Sequence, residues 1–294
     1  MSKNGNGNGN GSGKGNRNAK GRQGSLIIIG GHEDKDGRSE ILAKVAERVG
    51  SGKLVVATVG SEEPDELWKE YKKAFGELGV KRVEHLHVET RDEALDEKTA
   101  KILDGATVVF FTGGDQLRIT SQLGDTPVYQ KLHDMYERGG TIAGTSAGAS
   151  VMSGTMLVAG GQEGSPRLGD LIRMAPGFGM IHDVIIDQHF AERGRLGRLV
   201  AAVSQNPAHL GIGIDEDTAI LVEDEQDFWV IGKGAVYVVD GTCTSYSNIA
   251  DEKDDRTLSV YDLKLHLLSD GSCFDLKSRR PVEAEQLAGE GASR

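Results

Sequence analysis

The stretch Gly144-Thr145-Ser146-Ala147-Gly148 follows the short apolar run Thr141 to Ala143 and leads into small residues that can start a helix. A G-x-S-x-G sequence in that context suits a nucleophile elbow, where a sharp strand-to-helix turn lifts the serine hydroxyl clear of the backbone. The next amide, that of Ala147, then sits where a helix start can stabilise an oxyanion. With 41 glycines in the chain, a plain Gly-Ser loop is the competing explanation. The strand before and helix after favour the nucleophile.

A serine hydroxyl needs a base, and imidazole is the usual one near neutral pH. Asp187-Gln188-His189-Phe190 follows the apolar run Val184 to Ile186, which puts His189 at a strand end where it can meet Ser146. The alternative is a loop histidine with no part in chemistry. A third cluster, Gly213-Ile214-Asp215-Glu216-Asp217-Thr218, also closes a strand. A carboxylate is required to orient the imidazole. Asp215, Glu216 and Asp217 all offer one, spacing does not choose between them, and a solvated acidic turn is the blander account. The order serine, histidine, acid differs from the serine, acid, histidine order of an α/β-hydrolase, which disfavours that assignment.

Other polar groups fit less directly. His32 follows Gly30-Gly31 and either lines the same edge or is an ordinary loop histidine. His85 and His87 share one strand face, but no further ligand cluster supports a metal there, so half-exposed strand residues are expected. Arg193, Arg195 and Arg198 lead into a helix faced by Leu196, Leu199, Val200 and Val203. Cations in a first helical turn oppose its macrodipole by roughly 0.3–1 kcal/mol each. Three of them in an acidic chain point to carboxylate recognition, which guanidinium does bidentately. A solvated basic face paired with nearby acids is the alternative.

The elements that must position these groups read as strand and helix in alternation. Leu26–Ile29, Leu54–Val56, Val83–Val88, Val108–Phe111 and Thr141–Ala143 are short apolar strands. Between them lie a helical pattern at Ile41, Leu42, Val45 and Val49, and a helix opened by Pro64 with Leu67, Trp68, Tyr71, Phe75 and Leu78 on one face. Further on come a capping-box pattern at Thr90 and Glu93 ahead of a helix through Leu103, and a helix opened by Pro127. This rhythm predicts an α/β fold, a mostly parallel sheet with helices on both faces. Ligands then bind beyond the carboxyl ends of the strands. Ala219–Val222, Phe228–Ile231 and Ala235–Val239 read as an antiparallel extension of that sheet. Residues 25–294 are expected to form one domain, with the last fifty or so poorly defined by sequence.

Composition narrows the function classes. Residues 1–24 are Gly- and Asn-rich with five cations and no acid, too poor in apolar surface to order, and are expected to be a disordered linker. They lack the apolar core of a secretory signal, which fits a soluble cytoplasmic protein. No apolar run reaches the roughly 20 residues of a membrane span. The net charge of −11 argues against nucleic-acid binding. Cys243 and Cys273 alone make neither a disulfide scaffold nor a zinc site.

Taken together, Gly30-Gly31-His32-Glu33-Asp34-Lys35, Gly113-Gly114-Asp115-Gln116, Gly144 to Ala149, Asp187 to Phe190 with the arginines after it, and Gly213 to Glu216 resemble the motifs of the cyanophycinase family. That family belongs with the peptidase E-like serine peptidases, on a sheet similar to that of class I glutamine amidotransferases. The resemblance runs from Ser25 to about Val239. It implies a serine exopeptidase that cuts cyanophycin, a poly-aspartate backbone carrying arginine on each β-carboxyl, into β-Asp-Arg dipeptides. It implies Ser146 as nucleophile, His189 as base and Glu216 as the orienting acid, with Gly114 and Ala147 amides as oxyanion hole. Gln116, Asp187, Gln188, Arg193, Arg195 and Arg198 match its substrate-binding positions. It implies no metal or cofactor, and a homodimer. Two other readings stand beside it, a peptidase E-like dipeptidase on short aspartyl peptides and a non-catalytic binding relative. A glutamine amidotransferase is disfavoured because the elbow carries serine and neither cysteine lies near it.

Overall fold

The computed structural model describes residues 24–36, 40–160, 166, 172–251 and 256–283. The expected disordered tail falls outside these residues but for Gly24. Ser25–Ile29 (β1), Lys53–Ala57 (β2), Val83–Leu86 (β3), Ala106–Phe111 (β4) and Thr141–Thr145 (β5) alternate with Glu40–Val49 (α1), Pro64–Glu77 (α2), Arg91–Leu95 (α3), Glu97–Ala100 (α4), Gln116–Leu123 (α5) and Pro127–Glu137 (α6). Ala147–Ser150 (α7) follows β5 directly, and Thr155–Ala159 (β6) pairs antiparallel with Arg173–Pro176 (β7). Val184–Gln188 (β8), Leu196–Gln205 (α8), Leu210–Ile214 (β9), Thr218–Glu223 (β10), Asp227–Gly232 (β11) and Val236–Asp240 (β12) come next. The chain closes with Tyr246–Ser247 (β13), Val260–Tyr261 (β14), Lys264–Leu268 (β15), Cys273–Asp275 (β16) and Arg280–Val282 (β17).

The strands form a nine-stranded sheet in the order β17-β16-β11-β10-β1-β5-β4-β2-β3, and a four-stranded one, β15-β12-β9-β8. In the large sheet β1 to β5 run parallel, and β10, β11, β16 and β17 add on antiparallel. Side chains alternate between its faces, as strand geometry requires. Ile27, Ile29, Val56 and Phe110 pack with α1 and α2 through Leu42, Val45, Tyr71 and Phe75. Leu26, Ile28, Val109 and Phe111 pack on the other face with Leu123, Leu132 and Met152. That second cluster also takes in Ile186, Ile212 and Val238, so it holds the small sheet against the large one. The small sheet's outer face packs under α8 through Ile185, Leu199, Val203 and Val239.

Three expectations are corrected. Residues 235–239 do not extend the main sheet: β12 pairs with β9 and β15, and β8 joins them through β9. Short buried strands carry no mark of which sheet they join. The helix expected through Leu103 is broken into α3, α4 and a 3-10 turn, Lys101–Leu103. Thr90 makes no capping bond; Asp96 instead accepts from the Lys98 amide and restarts the helix, the usual competition of an aspartate with the backbone. Leu78, expected on the buried face of α2, is its exposed C-cap.

Candidate active site

Ser146 lies on the turn between β5 and α7 with φ 53° and ψ −112°, a strained conformation for a residue with a Cβ. Its amide donates to the Ile29 carbonyl (3.1 Å), which ties the turn to the end of β1. Close packing explains the flanking glycines: a Cβ on Gly144 would lie 2.5 Å from the Gly148 carbonyl oxygen, and one on Gly148 2.4 Å from that of Phe111. The Ser146 hydroxyl is 2.9 Å from His189 Nε2, and His189 Nδ1 is 2.6 Å from Glu216 Oε1. A serine hydroxyl donating to Nε2 while Nδ1–H donates to the carboxylate satisfies all three groups at once.

These residues come from different sheets. Ser146 directly follows β5 of the large sheet, His189 directly follows β8 of the small one, and Glu216 sits on the turn from β9 to β10 that passes between the two. The segment after β1 joins them: the Gly30 carbonyl accepts from the His189 amide (2.8 Å) and the Gly31 carbonyl from the Asp217 amide (2.9 Å). Burial pulls the His189 imidazole below its ordinary value of 6.5, and Arg193 adds to the fall, while the Glu216 hydrogen bond pulls the other way. The ring is therefore mainly neutral at pH 7, as a proton acceptor must be.

The three adjacent acids have separate surroundings. Asp215 is buried and accepts from the amides of Ala191 (2.9 Å) and Ala235 (3.0 Å). Asp217 accepts from the Asp34 amide (3.0 Å) and pairs with Lys233 (2.6 Å). Only Glu216 of the three faces His189.

The arginines divide in the same way. Asp187 is 0% exposed, and its carboxylate is held by Arg195 and, through two bonds, by Arg198. Arg195 also donates to the backbone carbonyl and the side-chain oxygen of Gln188, whose amide nitrogen meets Ser150 Oγ (3.0 Å). Burial pushes the Arg195 guanidinium down to about 10, still protonated at neutral pH. Two cations around one anion leave a net positive charge behind the His189 turn. Arg193 is exposed and has no ion pair among the described residues. Asp187 is thus enclosed by its own partners.

Gln116, at the start of α5, donates to the Leu157 carbonyl (2.9 Å). Gly114, with φ 138°, lies in a cavity of about 660 Å³ lined also by Gly60, Glu62, Glu63, Asp115 and Arg118. Gly113 joins it to the serine, since a Cβ there would be 3.5 Å from Ser146 Cβ.

Beneath the elbow is a group the sequence reading did not assign. Glu33 is 4% exposed and accepts from Thr145 Oγ1 (2.5 Å) and from the Tyr71 hydroxyl. Burial, with Glu33 adding to it, holds the Tyr71 phenol well above its ordinary range, so it remains a donor. His85 stacks on Trp68 and meets Thr58 Oγ1 (2.8 Å), while His87 lies beyond the end of β3 beside Glu89. Neither joins a three-ligand cluster among the described residues.

The family model for peptidase family S51 matches residues 26–229. A cyanophycinase of Synechococcus elongatus is 39% identical over 263 residues, 88% of this chain and 81% of that protein. A cyanophycinase of Trichormus variabilis is 40% identical over 272 residues, covering 91% of each. Among solved structures, a peptidase from an acI-B1 Actinobacterium is similar in fold, with a TM-score of 0.64 at 23% identity over 87% of this chain and 98% of that one.

Proposed function

The chain belongs to peptidase family S51, a serine-type peptidase family, and we propose that it hydrolyses cyanophycin to β-Asp-Arg dipeptides. The observation that carries this reading is the chain of contacts from Ser146 through His189 to Glu216 at a strained elbow. Neutral His189 takes the Ser146 proton as the oxygen attacks an aspartyl backbone carbonyl, and Glu216 holds the imidazolium that results. The Ala147 and Gly114 amides stabilise the oxyanion, His189 returns the proton to the leaving amine, and water then hydrolyses the acyl-enzyme.

Each repeat of the polymer offers a carboxylate and a guanidinium. Exposed Arg193, backed by the net positive Asp187–Arg195–Arg198 cluster, suits the carboxylate. Because Asp187 is enclosed, the guanidinium is matched instead by Glu62 and Glu63 on the wall of the adjoining cavity.

The test is incubation of the purified chain with cyanophycin, beside Ser146→Ala, with mass analysis of soluble products. Release of β-Asp-Arg by the wild type alone is expected. No release by the folded wild type would overturn the substrate assignment and direct attention to short aspartyl peptides.

A further inference from the structure

Beside the Ser146–His189–Glu216 line stands a histidine that takes no part in it. His32 is 71% exposed, its Nε2 is 3.7 Å from Glu216 Oε1, and its ring meets that of His189 edge-on with centroids 5.3 Å apart. One nitrogen of His32, one of His189 and a Glu216 oxygen all lie within 4.8 Å of one another. Two imidazoles and a carboxylate are a donor set that zinc favours, with bond lengths of about 2.0–2.2 Å and neighbouring ligand atoms therefore roughly 3.3 Å apart.

We propose that His32, His189 and Glu216 form an inhibitory site for a divalent transition-metal ion of the zinc type. The ion replaces the proton that His189 shares with Glu216, and that proton passes to solvent. The His189–Glu216 contact opens from 2.6 Å to roughly 3.3 Å to admit the metal, while His32, exposed beside both, swings in as the third ligand. Water completes the tetrahedron. With its ring fixed to a cation and its carboxylate withdrawn, His189 no longer takes the Ser146 proton. A hard ion such as magnesium, which prefers oxygen ligands and keeps its waters, is excluded by the same donor set.

This rests on the serine-nucleophile reading only for its effect, since metal binding is measured separately. Chelator-stripped full-length protein is titrated with zinc chloride against a zinc-chelating dye. In parallel, Ser146 is labelled with a fluorophosphonate probe at each zinc concentration. The wild type should bind zinc, lose labelling as it does so, and recover both on chelation, with magnesium inert. His32→Gln should label as the wild type does in metal-free buffer and need at least tenfold more zinc for protection. X-ray absorption of zinc-loaded wild type, which needs no variant, should show two imidazole ligands. Equal protection in His32→Gln, zinc binding lost with His87→Ala instead, or fewer than two imidazoles would each overturn the site. Failure of the probe to label even without zinc would count against the nucleophile, leaving the dye and absorption results to decide the metal site.

Discussion

Arg198 grips Asp187 as a fork, with Nε 2.7 Å from Oδ2 and Nη2 2.5 Å from Oδ1, at the end of a strand where the carboxylate sees no solvent. Removing the fork leaves the buried carboxylate to Arg195 and the Gln188 amide, both on Oδ1, and takes away the donor on Oδ2. Arg198→Ala is therefore expected to destabilise the fold by about 1–3 kcal/mol, read as a lower denaturation midpoint. Arg193→Ala, which removes an exposed guanidinium with no ion pair among the described residues, should leave that midpoint unchanged. Its effect should be on KM for cyanophycin, raised roughly tenfold if it supplies one charge-assisted hydrogen bond. Equal effects of the two substitutions on stability would refute this division of roles.

The acid limb of the pH–rate profile follows from His189. In the proposed mechanism its neutral form is the base, so kcat/KM is full above the imidazole pKa and is lost as pH falls through it. Burial sets that pKa below 6.5, and the limb should be centred there. Glu216→Gln keeps the shape but removes the charge that stabilises the imidazolium. A fall in kcat between about a hundredfold and ten thousandfold is expected, with KM little changed. A limb centred above 6.5 would show that desolvation does not govern the ring.

How far this site could be read in advance varied residue by residue. Ser146 was legible because the elbow is a local device: strand, glycine-flanked turn and helix start are contiguous in sequence. The choice among Asp215, Glu216 and Asp217 comes from the family resemblance and not from spacing, since three consecutive acids on a turn point in directions set by distant partners. The contacts of Asp215 with Ala191 and Ala235, of Asp217 with Asp34 and Lys233, and of Glu216 with His189 distinguish them. The parallel core was legible from its alternating strands and helices. The second sheet was not, because β8, β9 and β12 have the same short apolar pattern as strands of the first. Glu33, quoted in the Gly30–Lys35 motif, is given no role by the sequence because an acid two residues after Gly31 looks like a loop residue until Tyr71 and Thr145, far away in sequence, close over it.

That buried acid yields a further prediction. Thr145 immediately precedes Ser146, the proposed nucleophile, and its hydroxyl is anchored on Glu33 while Tyr71 occupies the other oxygen. Glu33→Gln would set an amide donor against one of those two donors. One hydrogen bond is then lost, at about 1–3 kcal/mol for the unsatisfied group, and the elbow shifts. Because nothing in the network faces solvent or substrate, kcat should fall while KM holds. Thr145→Ser, which preserves the hydroxyl, should retain most of the activity. A change in KM alone would argue against a positioning role.

Gly31 offers the sharpest steric test. Its φ of 111° is open to glycine but strained for any other residue. A Cβ placed there would lie 2.2 Å from His189 Cε1 and 2.6 Å from Nε2, the atom that faces Ser146. Gly31→Ala must therefore push the imidazole away from the serine or move the strand end that holds it. The Gly30 and Gly31 carbonyls bind the amides of His189 and Asp217, so a backbone shift displaces His189 and the Glu216 turn together. Loss of fluorophosphonate labelling at Ser146 is expected in a protein that still melts cooperatively at a lower temperature. Labelling at the wild-type rate would mean that His189 has room to retreat without leaving Ser146, and that its position is set from the Glu216 side alone.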